Sequence, residues 1–223
     1  MPRSPILRIT ALALFLPALA IAVWSADDLS ASAARVDDKY NHIRTLQADF
    51  SEIYHGAGTE RTESGTLLLK KPGKMRWDYR SPKEKLFISD GKAVWFWVPG
   101  EPQVRRAELK QLDDLRSPIS FLLGKTKLEK ELRGLSTAPD VPPLDREDVV
   151  WRGIPRVMAD RVSQVILEIT PESWIRRIVI EEVDGSVTEY RFSNQKVNAD
   201  LPDKQFEFRV PAGVTVIEGD LGQ

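Results

Sequence analysis

The chain has 223 residues, a formal net charge of −1 and no cysteine. A near-neutral chain lacks the basic stripe of a nucleic-acid-binding protein, so we expect no nucleic-acid partner. The absence of cysteine excludes disulfides and thiolate sites. Only two histidines, His42 and His55, are available for proton transfer or zinc binding. We therefore expect no metal, no other cofactor and no enzymatic activity.

The first 26 residues have the pattern of a secretory signal peptide. Two arginines precede an apolar run, Ile9 to Val23, which contains the small-x-small cleavage sequence Ala20-Ile21-Ala22. Ala26 is a second candidate cleavage point. The alternative is a membrane anchor, but the run is shorter than the ~20 residues that a spanning helix needs. We expect residues 1–26 to be removed and residues 27–223 to form one domain outside the cytoplasm.

The segment from Asp27 to Thr45 has the period of a helix. Its apolar residues recur at steps of three and four and so form one stripe, which comprises Leu29, Ala33, Val36, Tyr40 and Ile43. A helix with one apolar stripe needs an apolar surface to lie on. A second, very short helix is predicted from Pro118 to Leu123, because Ser117-Pro118 is a typical helix start.

From Leu46 onward most of the chain has the period of two that is typical of strands. Turn sequences separate the strands, at Pro72-Gly73, Ser81-Pro82, Asp90-Gly91 and Asp184-Gly185. The last long strand is predicted at Gln205 to Val210. About ten antiparallel strands with two or three helices predict a mainly β member of the α+β class.

Hairpin geometry predicts one apolar face. A two-residue turn at Asp90-Gly91 places Leu86 and Ile88 on the face of Trp95 and Trp97. A four-residue loop from Arg80 to Lys83 would place Trp77 opposite Leu86, and Met75 opposite Ile88. Leu67 and Leu69 join this face if Pro72-Gly73 carries a bulge; otherwise Leu68 does. A register error of one residue would exchange the two faces.

This predicted face has two possible roles. Its members are Leu67, Leu69, Met75, Trp77, Leu86, Ile88, Trp95 and Trp97. An ordinary sheet core is one reading. The covering helices are few and short, and Met and Trp adapt well to irregular ligands, which favours a binding surface.

Five stretches occur in an order and spacing typical of one protein family: Leu46 to Ser51, Gly65 to Trp77, Ser89 to Phe96, Ser117-Pro118 with Leu122-Leu123, and Phe206 to Val214. They resemble the LolA family, the periplasmic carriers of outer-membrane lipoproteins. The resemblance implies an incomplete antiparallel β-barrel with helices as a lid over its concave face. It also implies a hydrophobic cavity for lipoprotein acyl chains, an inner-membrane ABC exporter that loads the carrier and an outer-membrane acceptor that unloads it.

The resemblance also assigns roles to single residues. The predicted lid comprises Val36, Tyr40, Ile43, Phe121 and Leu122. In the family an arginine directly before a proline hydrogen-bonds the lid, and Lys71, which precedes Pro72 in the second stretch, occupies that position here. Lysine keeps the charge but offers a point donor instead of a planar fork. We expect Lys71 to latch the lid, and we expect a monomer.

Three other functions come into consideration. A hydrolase would need a nucleophile-elbow motif, which the sequence lacks. A periplasmic sensor domain of the same architecture usually comes with a membrane segment or a second domain. A carrier of another lipid or glycolipid is the reading that the sequence separates least from a lipoprotein carrier.

Overall fold

The computed structural model describes residues 26–109, 122 and 127–219. The helices described are α1 (Ala26–His42), the one-turn α2 (Leu128–Glu131) and a 3-10 helix (Asp203–Phe206). The strands are β1 (Thr45–Gly56), β2 (Thr59–Lys70), β3 (Lys74–Ser81), β4 (Lys85–Asp90), β5 (Ala93–Trp97), β6 (Gln103–Glu108), β7 (Leu132–Thr137), β8 (Val149–Pro155), β9 (Val162–Ile169), β10 (Ile175–Glu182), β11 (Val187–Val197) and β12 (Thr215–Glu218).

The twelve described strands form one open sheet in the order β12-β6-β5-β4-β3-β2-β1-β11-β10-β9-β8-β7. Neighbouring strands are antiparallel, except that β12 runs parallel to β6. The central strands β1 and β2 have 12 residues each. Strand β1 is hydrogen-bonded to β2 on one side and to β11 on the other. The predicted mainly β fold is confirmed, with twelve strands in place of about ten.

Helix α1 lies against one face of this sheet, which we call the inner face. Its predicted apolar stripe is buried, with Ala33, Val36 and Tyr40 at most 2% exposed. The stripe packs in one cluster with alternate residues of the central strands, among them Leu46 and Leu67. The helix ends at His42 and β1 begins at Thr45, so only two residues connect them.

The opposite, outer face is crossed by the segment 198–214, which we call the strap. Its 3-10 helix contacts β3 and β4, and Phe206 is completely buried. The carboxylate of Asp203 pairs with Lys70 at 2.6 Å and with Lys74 at 2.7 Å. These two ammonium groups lower the pKa of Asp203 to about 2. The strap carries the chain from β11 to the far edge, where β12 pairs with β6.

The predicted strand at Gln205 to Val210 is wrong. The 3-10 helix ends at Phe206, and the residues after it are extended without joining the sheet. The alternation of Phe206 and Phe208 has another cause, since both side chains anchor the strap. Phe206 is buried, and the ring of Phe208 lies 5.3 Å from that of Trp95 and 6.0 Å from that of Trp97.

A buried ion pair holds a second cover on the outer face, over β8 to β10. Arg177 and Glu168 are direct cross-strand neighbours and their side chains pair at 2.7 Å. Glu168 accepts a hydrogen bond from the backbone N–H of Leu144, and Arg177 donates one to the carbonyl of Pro142. The loop before β8 is therefore tied to the sheet by polar contacts at its centre.

Candidate functional site

Aromatic side chains of four strands meet on the inner face. We call them the aromatic floor, and its members are Phe50, Trp77, Tyr79, Phe87, Tyr190 and Phe192. The ring of Trp77 lies 4.6 Å from that of Phe50 and 5.8 Å from that of Tyr190, both edge-on. Edge-to-face pairs are a favourable arrangement of aromatic quadrupoles. Phe50, Trp77 and Phe192 are buried, so the floor is closed over in this structure.

Half of the predicted apolar face belongs to this inner face. Leu67 lies directly opposite Trp77, and Leu69 opposite Met75. All four side chains belong to, or pack against, the buried cluster that includes the stripe of α1. Their predicted role in binding acyl chains stays a prediction.

The prediction that the other four residues share the face of Trp77 is wrong. These residues are Leu86, Ile88, Trp95 and Trp97. Trp77 pairs with Phe87, and Leu86 and Ile88 pair with Asp78 and Arg76 on the outer face. The cause is the loop between β3 and β4. Tyr79 pairs with Lys85, so the loop has one residue more than the four expected, and one residue exchanges the faces.

The hairpin of β4 and β5 places Trp95 and Trp97 on the same face as Leu86 and Ile88, so their predicted face is wrong as well. Ile88 pairs with Trp95 and Leu86 with Trp97, a shift of two residues that leaves the faces unchanged. Trp95 and Trp97 therefore lie on the outer face, under Phe208 of the strap. Their alternates Val94 and Phe96 take the inner side of the sheet and pack with Phe87.

The remaining floor residues come from pairings that are distant in sequence. Tyr190 and Phe192 lie on β11, which pairs with β1, so that Phe192 faces Phe50. The alternation of Tyr190 and Phe192 in the sequence indicates that they share one face of a strand. It does not indicate that this strand pairs with β1. Phe87 was missed through the register error described above.

The predicted lid residues of α1 are buried on the inner face. Val36, Tyr40 and Ile43 all belong to the inner cluster. Leu122 is buried in the same cluster, while Phe121 and the rest of the predicted second helix lie outside the described residues. Whether these residues act as a movable cover stays a prediction.

Tyr40 is the main polar tie between α1 and the sheet. Its hydroxyl accepts a hydrogen bond from the backbone N–H of Ile175 at 2.9 Å and donates one to the side chain of Gln195 at 3.2 Å. Burial raises the pKa of the Tyr40 phenol well above its usual value. The phenol therefore remains a neutral donor and acceptor at ordinary pH.

Lys71 contacts the last turn of α1. Its ammonium group donates hydrogen bonds to the carbonyl oxygens of Tyr40 and, at 3.3 Å, of Asn41. The carbonyls at a helix C-terminus lack helical partners and carry partial negative charge, so a cation there is favourable. This contact joins α1 to the turn after β2, the position that the resemblance assigned to a latch.

A third tie joins the middle of α1 to α2. The carboxylate of Asp37 accepts hydrogen bonds from the backbone N–H of Leu128 at 3.0 and 3.1 Å. Burial raises the pKa of Asp37. Besides these polar ties, Lys39 lies over the ring of Trp174 at 4.0 Å, and the buried stripe of α1 supplies apolar contacts.

Next to the floor on the inner face lies a small polar cluster that no sequence pattern predicts. Glu52 and Glu63 are direct cross-strand neighbours, both nearly buried. Tyr79 donates a hydrogen bond to Glu52 at 2.7 Å, Lys85 pairs with Glu63, and Arg61 lies 3.2 Å from Glu63. Burial raises the pKa of Glu52. Along β1, the aromatic floor therefore ends at Phe50, and the next cross-strand pair on the same face, Glu52 and Glu63, is charged.

The described residues contain no group of three or more His, Cys, Asp or Glu side chains placed to hold a metal ion. In the same residues no helix is both long and apolar enough to cross a bilayer. The side chains that meet on the inner face form an apolar surface, with polar ties to α1 at its margin.

Comparisons with known proteins agree on one family. The family profile described as "Outer membrane lipoprotein carrier protein LolA" matches residues 41–209. The chain is 32% identical to the outer-membrane lipoprotein carrier protein of Bordetella avium, over 98% of this chain and 100% of that protein. It is 31% identical to the protein of the same name from Chromobacterium violaceum, over 92% of this chain and 97% of that one.

Among solved structures, an uncharacterized conserved protein from Thermus thermophilus is similar with a TM-score of 0.53 and 14% sequence identity. The match covers 85% of this chain and 98% of that chain. At this identity the likeness concerns the fold alone.

Proposed function

The chain belongs to the LolA family of outer-membrane lipoprotein carrier proteins, and we propose that it shields the acyl chains of its cargo on the inner face, over the aromatic floor. A carrier binds and releases its cargo without chemical change, so the chain is not an enzyme.

The physical requirement comes from the cargo. Transfer of an acyl chain into water costs ~0.8 kcal/mol per methylene, and thus on the order of 10 kcal/mol for a long chain. A lipoprotein carries several such chains, so unaided passage between two membranes would be negligibly slow. A carrier must offer an apolar surface that is covered before loading and after release.

The contact of α1 with the inner face is the observation that supports this proposal. Trp77 is buried in the same cluster as the apolar stripe of α1, and in this proposal α1 moves to let an acyl chain reach the floor. Loading would then replace helix-on-sheet contacts by acyl-on-sheet contacts of similar apolar area. The free-energy difference between the two states can be small, which permits both loading and release.

The further partners follow from the same proposal. An inner-membrane ABC exporter would load the carrier and an outer-membrane acceptor would unload it, both in the periplasm. The signal-like pattern of residues 1–26 supports export. A monomer suffices, since one inner face and one α1 make a complete site.

The test compares two tryptophans on opposite faces of one sheet. Trp77→Glu places a charge on the floor, and Met75→Glu does so at a less buried inner position. Trp97→Glu is the matched control on the outer face. Each variant is purified after export, its folding is checked by circular dichroism, and the bound lipid or lipoprotein is identified by mass spectrometry.

We expect both inner variants to lose their lipid and the Trp97→Glu variant to retain it. Retention by folded Met75→Glu and Trp77→Glu proteins would refute the floor as the binding surface. Recovery of a lipid other than acylated lipoprotein would instead favour a carrier for that lipid.

A further inference from the structure

A cavity of about 240 Å³ lies between the first half of α1 and the strands β8 and β9. Its lining includes Ser32 and Arg35 of α1, Val149 and Trp151 of β8, and Thr170 after β9. None of the six floor residues is among its lining residues. The cavity adjoins an open depression that shares Arg35 with it.

The lining residue Trp151 has an unpaired polar atom. Its side chain is completely buried, yet its indole Nε1–H has no acceptor among the residues that the structure describes. Buried side-chain donors are nearly always paired, so each exception needs a reason. An acceptor supplied by a ligand in the cavity would satisfy this group.

The other lining groups restrict the ligand. Ile169 and Pro171 make much of the wall apolar, and Ser32 already accepts a hydrogen bond from Arg35 at 2.6 Å. Arg35 and Glu147 carry opposite charges and both line the cavity, so its lining has no net charge that would favour an ionic ligand. The site therefore suits a neutral group that accepts hydrogen bonds and is attached to hydrocarbon. A carboxylic ester of an acyl chain has this chemistry.

We propose that the cavity binds the ester end of an acyl chain, with the Nε1–H of Trp151 donating a hydrogen bond to the ester carbonyl oxygen. This inference rests on the proposed function and adds to it a place for the polar end of the cargo. Trp151 belongs to the same buried cluster as Phe50 and Trp77. In this proposal a chain anchored at Trp151 lies on the inner face, which also carries the floor.

The test uses two lipopeptides that differ only in the acyl linkage. One carries ester-linked palmitoyl chains and the other the matching ether-linked chains, which lack the carbonyl acceptor. Trp151→Phe removes the N–H and keeps an aromatic ring. The control is Trp174→Phe, because Trp174 packs edge-on against Tyr40 of α1 without lining the cavity. Affinities are measured for the purified wild-type protein and both variants.

We expect Trp151→Phe to bind the ester lipopeptide roughly 2- to 10-fold more weakly than wild type, the range of one net hydrogen bond. Binding of the ether lipopeptide should stay the same, and Trp174→Phe should treat both ligands alike. Equal effects of Trp151→Phe on the two ligands would overturn the inference and leave the carrier function standing. If wild type binds neither ligand, the proposed function fails with it.

A second measurement covers the case in which Trp151→Phe does not fold. In the wild-type protein with ¹⁵N-labelled tryptophan, the Trp151 indole N–H resonance should move downfield with the ester lipopeptide. The ether lipopeptide should not produce this shift. The same resonance position with both ligands would contradict the hydrogen bond.

Discussion

Glu52 and Glu63 lie directly opposite each other on β1 and β2, with both carboxylates on the inner face beside the aromatic floor. Two acids side by side at the end of an apolar surface are held there by a phenol and two cations. Tyr79 donates a hydrogen bond to Glu52, while Lys85 and Arg61 form ion pairs with Glu63. The arrangement fixes how far the apolar part of the inner face extends.

This pair predicts a pH dependence of stability. Burial raises the pKa of Glu52 above its usual value of 4.5, so the folded state favours the protonated acid. The corresponding stability is fully present below pH 4.5 and is lost as the pH rises through the raised value. Glu52→Gln cannot ionise, and its amide oxygen can still accept from Tyr79. We expect the variant to gain stability relative to wild type across this window, by urea unfolding between pH 4 and 8. Parallel curves for the two proteins would contradict the prediction.

The contact of Lys71 with α1 predicts faster opening when it is removed. Lys71→Met leaves the carbonyls of Tyr40 and Asn41 without the ammonium donor, at a cost of about 1 kcal/mol. Amide hydrogen exchange in α1 should therefore become about fivefold faster. Lys71→Arg should restore slow exchange, since it keeps a cationic donor.

Lys70 offers a matched control for this experiment. It is the neighbouring lysine, and it bonds to the carbonyl of Leu201 and to Asp203 in the strap instead of to α1. Lys70→Met should leave exchange in α1 unchanged. The same acceleration in both variants would show that charge loss, and not the latch, is responsible.

The strap predicts a variant that loses stability but not function. Phe208→Ala removes the ring that lies over Trp95 and Trp97 on the outer face. Because this ring is only partly buried, we expect a loss of about 2 kcal/mol in the free energy of unfolding. Lipid retention should be unchanged, because the inner face is untouched. Loss of bound lipid from folded Phe208→Ala protein would mean that the two faces are coupled.

The ion pair of Glu168 and Arg177 predicts a large destabilisation. Arg177→Met leaves a fully buried carboxylate without its cation, which costs about 3 kcal/mol. Burial already raises the pKa of Glu168, so the loss should shrink at acid pH, where this group is protonated. Adding Glu168→Gln should recover part of the loss. Denaturant unfolding of the two single variants and the double variant tests both statements.

The sequence predicted the class of the fold because its signals are local. The stripe of α1 appears in steps of three and four, and the turn at Asp90-Gly91 appears in two letters. Local patterns do not determine which face of the sheet the side chains of β4 and β5 occupy. That face depends on the length of the loop between Tyr79 and Lys85, and one residue there reverses four side chains.

Most of the floor lay beyond local reasoning. Phe192 meets Phe50 only because β11 returns to pair with β1, more than 140 residues away along the chain. The strap was misread for a related reason. Phe206 and Phe208 alternate like a strand, but they serve to attach the chain to a sheet that they do not join. Periodicity records which side chains are buried together, and not whether the backbone is paired.

The two-residue connection between α1 and β1 has a mechanical consequence. A helix of 17 residues is about 25 Å long, and here it is tethered at its His42 end. Any rotation about this pivot moves the Ala26 end farthest and the Lys71 contact least. The Lys71 contact therefore lies near the pivot, and the displacement of the helix grows past Ser32 toward Ala26.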